Sequence, residues 1–230
     1  MFCLLAIDDV ESVTRVRDWL LHQYGGLDVL VNNAAIGFIQ DSGMTEHEIA
    51  ERVIGTNLWS TASVCDILFP ILRPGARVVN VSSSAGMLMA VPSEQKRACI
   101  ASPTLTREEI HHMVQQYLQD VKQGTADQNG WPNEPFITHY SLSKVLLSAL
   151  TWIQHRQFLT DERTDIVINA VHPGYVSTDM TYHRGILSPD QGAAAVTACC
   201  LIPANAGPRG QMVWHDGRVV DWFTGATDSN

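Results

Sequence analysis

Tyr140-Ser141-Leu142-Ser143-Lys144 sets a phenol and an ammonium four residues apart, a spacing that brings both to one face of a helix. A phenol ordinarily titrates at about 10, and a neighbouring cation favours the phenolate. Lys144 would therefore draw Tyr140 toward the range where it can exchange a proton at neutral pH. The same spacing also suits a solvated Lys beside a half-buried Tyr, so the pair alone leaves its use open. Its surroundings add chemistry. Val78-Val79-Asn80-Val81 runs into Ser82-Ser83-Ser84 at the carboxyl end of a strand, where open α/β sheets hold their ligands and a hydroxyl can hold a carbonyl oxygen. Asn32-Asn33-Ala34-Ala35 follows a second strand. Asn57 stands at a helix beginning in Gly55-Thr56-Asn57-Leu58, and a third strand runs into His172-Pro173-Gly174.

The elements that must position these groups follow from hydrophobic period. Short β-branched runs alternate with longer stretches of 3.6-residue period along the 230 residues, which predicts an α/β fold with a parallel sheet in one domain. Phe2–Ile7 reads as a strand. Asp8 or Asp9 then caps a helix with Val10, Val13, Val16 and Leu20 on one face, stopped by Gly25-Gly26. Asp28–Val31 reads as a strand buried on both faces. Helices follow over Thr45–Ile54 and Asn57–Leu72, the second ended by Pro74-Gly75 ahead of the strand Arg77–Val81. An insertion at about residues 87–137 carries a polar helix, Thr106–Gln123, opened by a capping box of Thr106 and Glu109, and the Gly/Pro-rich Gly124–Pro135. Helix Tyr140–Arg156, strand Asp165–Val171, helix Pro189–Cys199 and a strand near Gln211–Trp214 complete the reading.

In this order the Asn32-Asn33-Ala34-Ala35 segment, the serine cluster, the Tyr140-x-x-x-Lys144 pair and Pro173-Gly174-Tyr175-Val176-x-Thr178-Asp179-Met180 closely resemble the short-chain dehydrogenase/reductases. The resemblance covers nearly the whole chain. The long insertion between Ser83 and Tyr140, Gly130-Trp131-Pro132 near its end and the Pro173–Met180 segment favour the carbonyl-reductase branch. It implies a Rossmann-like, doubly wound parallel sheet and NADPH-dependent reduction of small carbonyl compounds (aldehydes, ketones and quinones) by hydride transfer. Tyr140 would donate the proton, and Ser83, the second serine after Asn80-Val81, would hold the same oxygen. Lys144 would bind the nicotinamide ribose and lower the pKa of Tyr140. Asn57 would hold a water linking Lys144 to bulk solvent. Asn33 would lie near the adenosine ribose, and Pro173, Gly174, Val176 and Thr178 would line the nicotinamide and pyrophosphate side. The branch also implies a monomer, its insertion covering the helix face that relatives use for pairing.

One part of the family pattern is absent. No two of the 16 glycines stand two positions apart, so the Gly-rich phosphate turn cannot be drawn anywhere in the chain. The sequence opens where the family's third strand would stand, with Ala6 in place of the usual Asp. This predicts an N-terminally truncated reductase without the first βαβ unit and its phosphate-binding N–H groups, in which Phe2–Ile7 either moves in beside Asp28–Val31, the favoured outcome, or leaves both strand edges open. Two functions stay open: an NADPH-dependent carbonyl reductase, or an impaired pseudo-reductase that does not hold the dinucleotide.

Composition narrows the remainder. A chain 45% hydrophobic and 17% charged folds, and a net charge of −9 offers phosphate backbones no attraction, so nucleic acid is excluded as a partner. The apolar runs are strand-sized, which predicts no membrane span. Five scattered cysteines suit a reducing, cytoplasmic setting. His111-His112 point in different directions along a helix and predict no metal site. Cys199-Cys200 reads as packing; Met87, Met89, Trp131 and Phe38 read as either core or pocket. Asn80 reads as a structural amide that satisfies nearby backbone groups.

Overall fold

Asp9 starts the first helix by accepting a hydrogen bond from the Glu11 N–H, and Gly25 ends it at φ 72°, a left-handed turn open to glycine. The computed structural model describes residues 4–37, 43–134 and 137–226. This helix, α1 (Val10–Tyr24), sets Val13 among Val64, Leu68 and Ile71, and leads directly into β1 (Leu27–Asn32). A capping box of Thr45 and Glu48 opens α2 (Glu46–Ile54), which continues through a π-helical turn, Gly55–Ser60, into α3 (Thr61–Leu68). Next come β2 (Leu72–Val81), α4 (Glu94–Ile100) and α5 (Arg107–Gln123), the last opened by the Thr106–Glu109 capping box. The chain then forms α6 (Thr138–Phe158), β3 (Val167–Val171), α7 (Pro189–Cys200), β4 (Met212–Val213) and β5 (Val219–Val220).

The sheet runs β1-β2-β3-β4-β5, parallel through β4, with β5 antiparallel. Its register sets Asn32 beside Asn80 and Val81 beside Val171, so the carboxyl ends of β1, β2 and β3 open together. Alternation along the strands divides the core between two helical layers. Val79, Val81, Val171 and Val213 meet Ala195 and Cys199 of α7, while Ala170 and Met212 join Leu142, Leu146 and Leu150 of α6. Ile110, Val114 and Tyr117 of α5 and Trp131 belong to that second cluster, so the insertion is packed onto α6. None of the described helices is long and apolar enough to cross a membrane.

Several expectations are corrected. Of Phe2–Ile7, the described residues 4–7 form no strand and pair with nothing in the sheet. The Ala6 N–H is held by Ser12 Oγ and the Asp9 N–H by the Ala6 carbonyl, which bends this segment over the start of α1. Consequently, among the described residues, β1 is an edge strand rather than one buried on both faces, and Val29 and Val31 are 40% and 38% exposed. The helix after Asn57 ends at Leu68 because Pro70, not Pro74, breaks it: a proline ring collides with the carbonyl four residues back. Strand β2 therefore already begins at Leu72, and Asn57 lies inside a continuous helix rather than at its start. Asn80 does satisfy neighbours, but they are side chains, because the strand ladders already use the backbone. It accepts from Asn32 Nδ2 at 2.8 Å and donates to Thr151 Oγ1 and Gln154 Oε1, both at 2.9 Å.

Candidate active site

Ser83 leaves β2 in an extended conformation and its Oγ accepts the Ala85 N–H, which starts a short 3-10 turn over Ser84–Gly86. Its neighbour Ser82 is turned the other way, onto α6, with Oγ 2.8 Å from Ser148 Oγ and donating to the Lys144 carbonyl. Gly86 permits that close approach: a Cβ there would stand 2.6 Å from Ser82 Oγ and 2.8 Å from the Lys144 carbonyl oxygen. α6 thus lies hard against the end of β2.

On the facing turns of α6, the Lys144 ammonium lies 5.6 Å from the centre of the Tyr140 ring. Lys144 is buried, and its Nζ donates to the Val81 carbonyl at 2.6 Å. Burial draws its ammonium down to about 8. Burial pushes the Tyr140 phenol up, and a side-chain hydrogen bond with Ser83 opposes that rise. The Lys144 ammonium is turned to the end of β2. Gly37 also stands against the ring: a Cβ there would come within 3.0 Å of Tyr140 Cδ2.

Ser83, Tyr140 and Lys144 share the wall of a cavity of about 800 Å³ with Asn33, Pro173, Gly174, Val176 and Thr178. The fold thus brings eight of the nine residues singled out in the sequence to one place, at the carboxyl ends of β1, β2 and β3. Asn57 lies behind it. Its carboxamide accepts the Ile36 N–H at 2.8 Å and donates to the Ile36 carbonyl at 2.8 Å and to Ser143 Oγ at 3.0 Å, so its side chain is committed to pinning the segment that follows β1. Gly174 turns at φ 86°, a conformation that favours glycine.

His172 is a cavity residue to which sequence reasoning gave no role, although it stands directly before the Pro173-Gly174 turn. Its Nδ1 accepts the Ser84 N–H at 3.0 Å, which ties the end of β3 to the serine turn. Burial, with His215 nearby, holds its imidazole down at about 4, so it stays neutral and able to accept. The ambiguous residues resolve in several ways. Trp131 is core, Met87 packs against that core, Met89 is exposed, and Cys199 is buried packing. His111 is exposed beside Trp59, and Phe38 lies outside the described residues.

Comparison with known proteins identifies the family. The model of the short chain dehydrogenase family matches residues 1–96. Carbonyl reductase (NADPH) 1 of Rattus norvegicus is 38% identical over 224 residues, covering 96% of this chain and 79% of the relative. Its Homo sapiens counterpart is 37% identical over 225 residues with the same coverage. Salutaridine reductase from Papaver somniferum superposes with a TM-score of 0.80 at 29% identity, over 90% of this chain and 80% of that one. The NADPH-bound carbonyl reductase from chicken fatty liver shares the fold, with a TM-score of 0.63 over 96% and 77% of the two chains. With this likeness spanning most of both chains, and with the cavity at the strand ends, the chain belongs to the short-chain dehydrogenase/reductase family, on its carbonyl-reductase branch.

Proposed function

We propose that this chain reduces small carbonyl compounds (aldehydes, ketones and quinones) to alcohols with NADPH, and that Tyr140 supplies the proton. The observation that carries the reading is the convergence of the Ser83 hydroxyl, the Tyr140 phenol and the Lys144 ammonium on one cavity. Two hydroxyl groups converging there suit one carbonyl oxygen: Ser83 holds it, and Tyr140 gives it a proton as the adjacent carbon takes hydride. NADPH, when bound, supplies that hydride. The residues present fit its nicotinamide ribose half. Lys144 would exchange the Val81 carbonyl for ribose hydroxyls, and Pro173, Gly174, Val176 and Thr178 would flank the ring. Asn33, exposed at the far end of the cavity, would meet the adenosine side. A water relay from Lys144 to bulk solvent would pass Asn57, whose carboxamide is already engaged by Ile36 and Ser143.

A second reading is favoured by a specific observation. The phosphates find no Gly-rich turn in this sequence, and among the described residues no strand covers the open edge of β1. On that reading the fold persists without retaining the dinucleotide. Fluorescence titration of the purified chain with NADPH separates the two. Saturable binding followed by quinone-dependent oxidation of NADPH supports the reductase, and absence of binding supports the impaired chain. The packing of α5 on α6 further supports a monomer, and the free thiols of Cys65, Cys99, Cys199 and Cys200 suit a reducing, cytoplasmic setting.

A further inference from the structure

Three groups outside this chemistry form a chain whose middle member, His139, directly precedes Tyr140. Tyr117 of α5 is fully buried, and its hydroxyl lies 2.6 Å from His139 Nδ1. His139 Nε2 lies 2.9 Å from Glu46 Oε2, in the first turn of α2. The carboxylate can only accept, so Nε2 carries its hydrogen toward Glu46, and in the neutral imidazole Nδ1 accepts from the Tyr117 hydroxyl. Burial keeps the Tyr117 phenol well above its usual range, hence protonated. Trp131 stacks edge-on against Tyr117 at 5.3 Å and is itself fixed by its indole N–H donating to Asp120 Oδ2 at 2.7 Å. Both nitrogens of His139 are thereby saturated by two elements other than its own helix.

This matters for the phenol because α6 begins at Ile137 without a side-chain cap, so its first turn depends on tertiary ties. Ser141 Oγ donates to the Ala85 carbonyl at 2.8 Å, beside the serine turn, and Ser143 Oγ receives the Asn57 amide. Successive helix residues are rotated by about 100°, so ties at 139, 141 and 143 restrain the turn that carries Tyr140 from different directions. We propose that His139 is a positioning residue for Tyr140: an imidazole clamped between Glu46 and Tyr117 through which the 87–137 insertion sets the aim of the phenol at Ser83. The proposal rests on the reading of Tyr140 as proton donor.

Two variants of the full chain test it. His139→Ala removes both bonds, and His139→Gln keeps one donor and one acceptor. In quinone-dependent NADPH oxidation, His139→Ala is expected to lose about tenfold in kcat with KM within about twofold of wild type, and His139→Gln to recover most of the loss. Hydrogen exchange read by mass spectrometry needs no turnover: amides 141–144 should exchange at least about tenfold faster in His139→Ala, with 150–158 unchanged and His139→Gln close to wild type. Unchanged exchange at 141–144 overturns the clamp. Uniform acceleration along all of α6 overturns it too, since that is the mark of general destabilisation. Loss of kcat with no rescue by His139→Gln does the same. A wild-type chain without turnover sinks the Tyr140 reading, and the exchange measurement then decides the clamp independently.

Discussion

Lys144 and His172 are two buried bases that titrate on opposite sides of neutral pH. Burial brings the Lys144 ammonium to about 8, so a reaction that needs its charge should lose rate as pH rises through that value. A kcat profile flat to pH 10 would remove the ammonium from the mechanism. Tyr140→Phe should abolish turnover while leaving the far-ultraviolet circular dichroism and the unfolding midpoint near those of wild type; equal activity would remove the proposed acid. His172 bears on stability instead. It titrates at about 4 when folded, against about 6.5 in an unfolded chain, so between those values the unfolded state binds more protons. Stability is therefore complete above about 6.5 and is lost as pH falls toward 4, by on the order of 3 kcal/mol for this group. His172→Gln should flatten that part of a urea-midpoint profile, and an unchanged slope would count against a neutral, buried imidazole.

At the scale of elements, close approach depends on particular side chains. Gly86→Ala would push a methyl group into Ser82 Oγ and the Lys144 carbonyl, so α6 must shift away from β2. A loss of about 1–3 kcal/mol in urea unfolding is expected, with reduced turnover because Tyr140 and Lys144 move with the helix; a neutral result would mean that α6 is not seated as described. Much of this layout was legible in the sequence, because period and capping are local. Asp9, Gly25, Thr106 and Glu109 bound their helices as their chemistry dictates, and α6 runs where its spacing places it. What was not legible depends on partners remote in sequence. The fate of residues 4–7 turns on Ser12 and the cap of α1 rather than on strand propensity. The exposure of Val29 and Val31 turns on which strand stands at the edge. In the site, eight of the nine positions that the family resemblance implied line the cavity. The direction of the Lys144 ammonium and the committed carboxamide of Asn57 required coordinates, since both are decided by backbone groups no sequence pattern names.

At the scale of the whole molecule, the insertion shares its core with the helix that carries the proposed chemistry. Ile110, Val114, Tyr117 and Trp131 lie in one cluster with Leu142, Leu146 and Leu150, with no separate core of their own among the described residues. Two consequences follow. The face of α6 beneath α5 is already covered, so sedimentation equilibrium should return the mass of one 230-residue chain, and a tight dimer abolished by substitutions on α6 would refute that packing. The insertion also cannot melt independently, because opening it would expose buried Leu side chains of α6 to water at roughly 25 cal/mol per Å² of apolar surface. Trp131→Ala, which leaves a cavity beside Tyr117 and frees Asp120 of its indole partner, should cost about 3–5 kcal/mol. That loss should move one shared unfolding transition, seen alike by circular dichroism and by tryptophan fluorescence. Separation into two transitions, an early one for the insertion and a late one for the sheet, would show that α5 is an independent flap. A flap of that kind could not hold His139, and the coupling of the insertion to Tyr140 would fall with it.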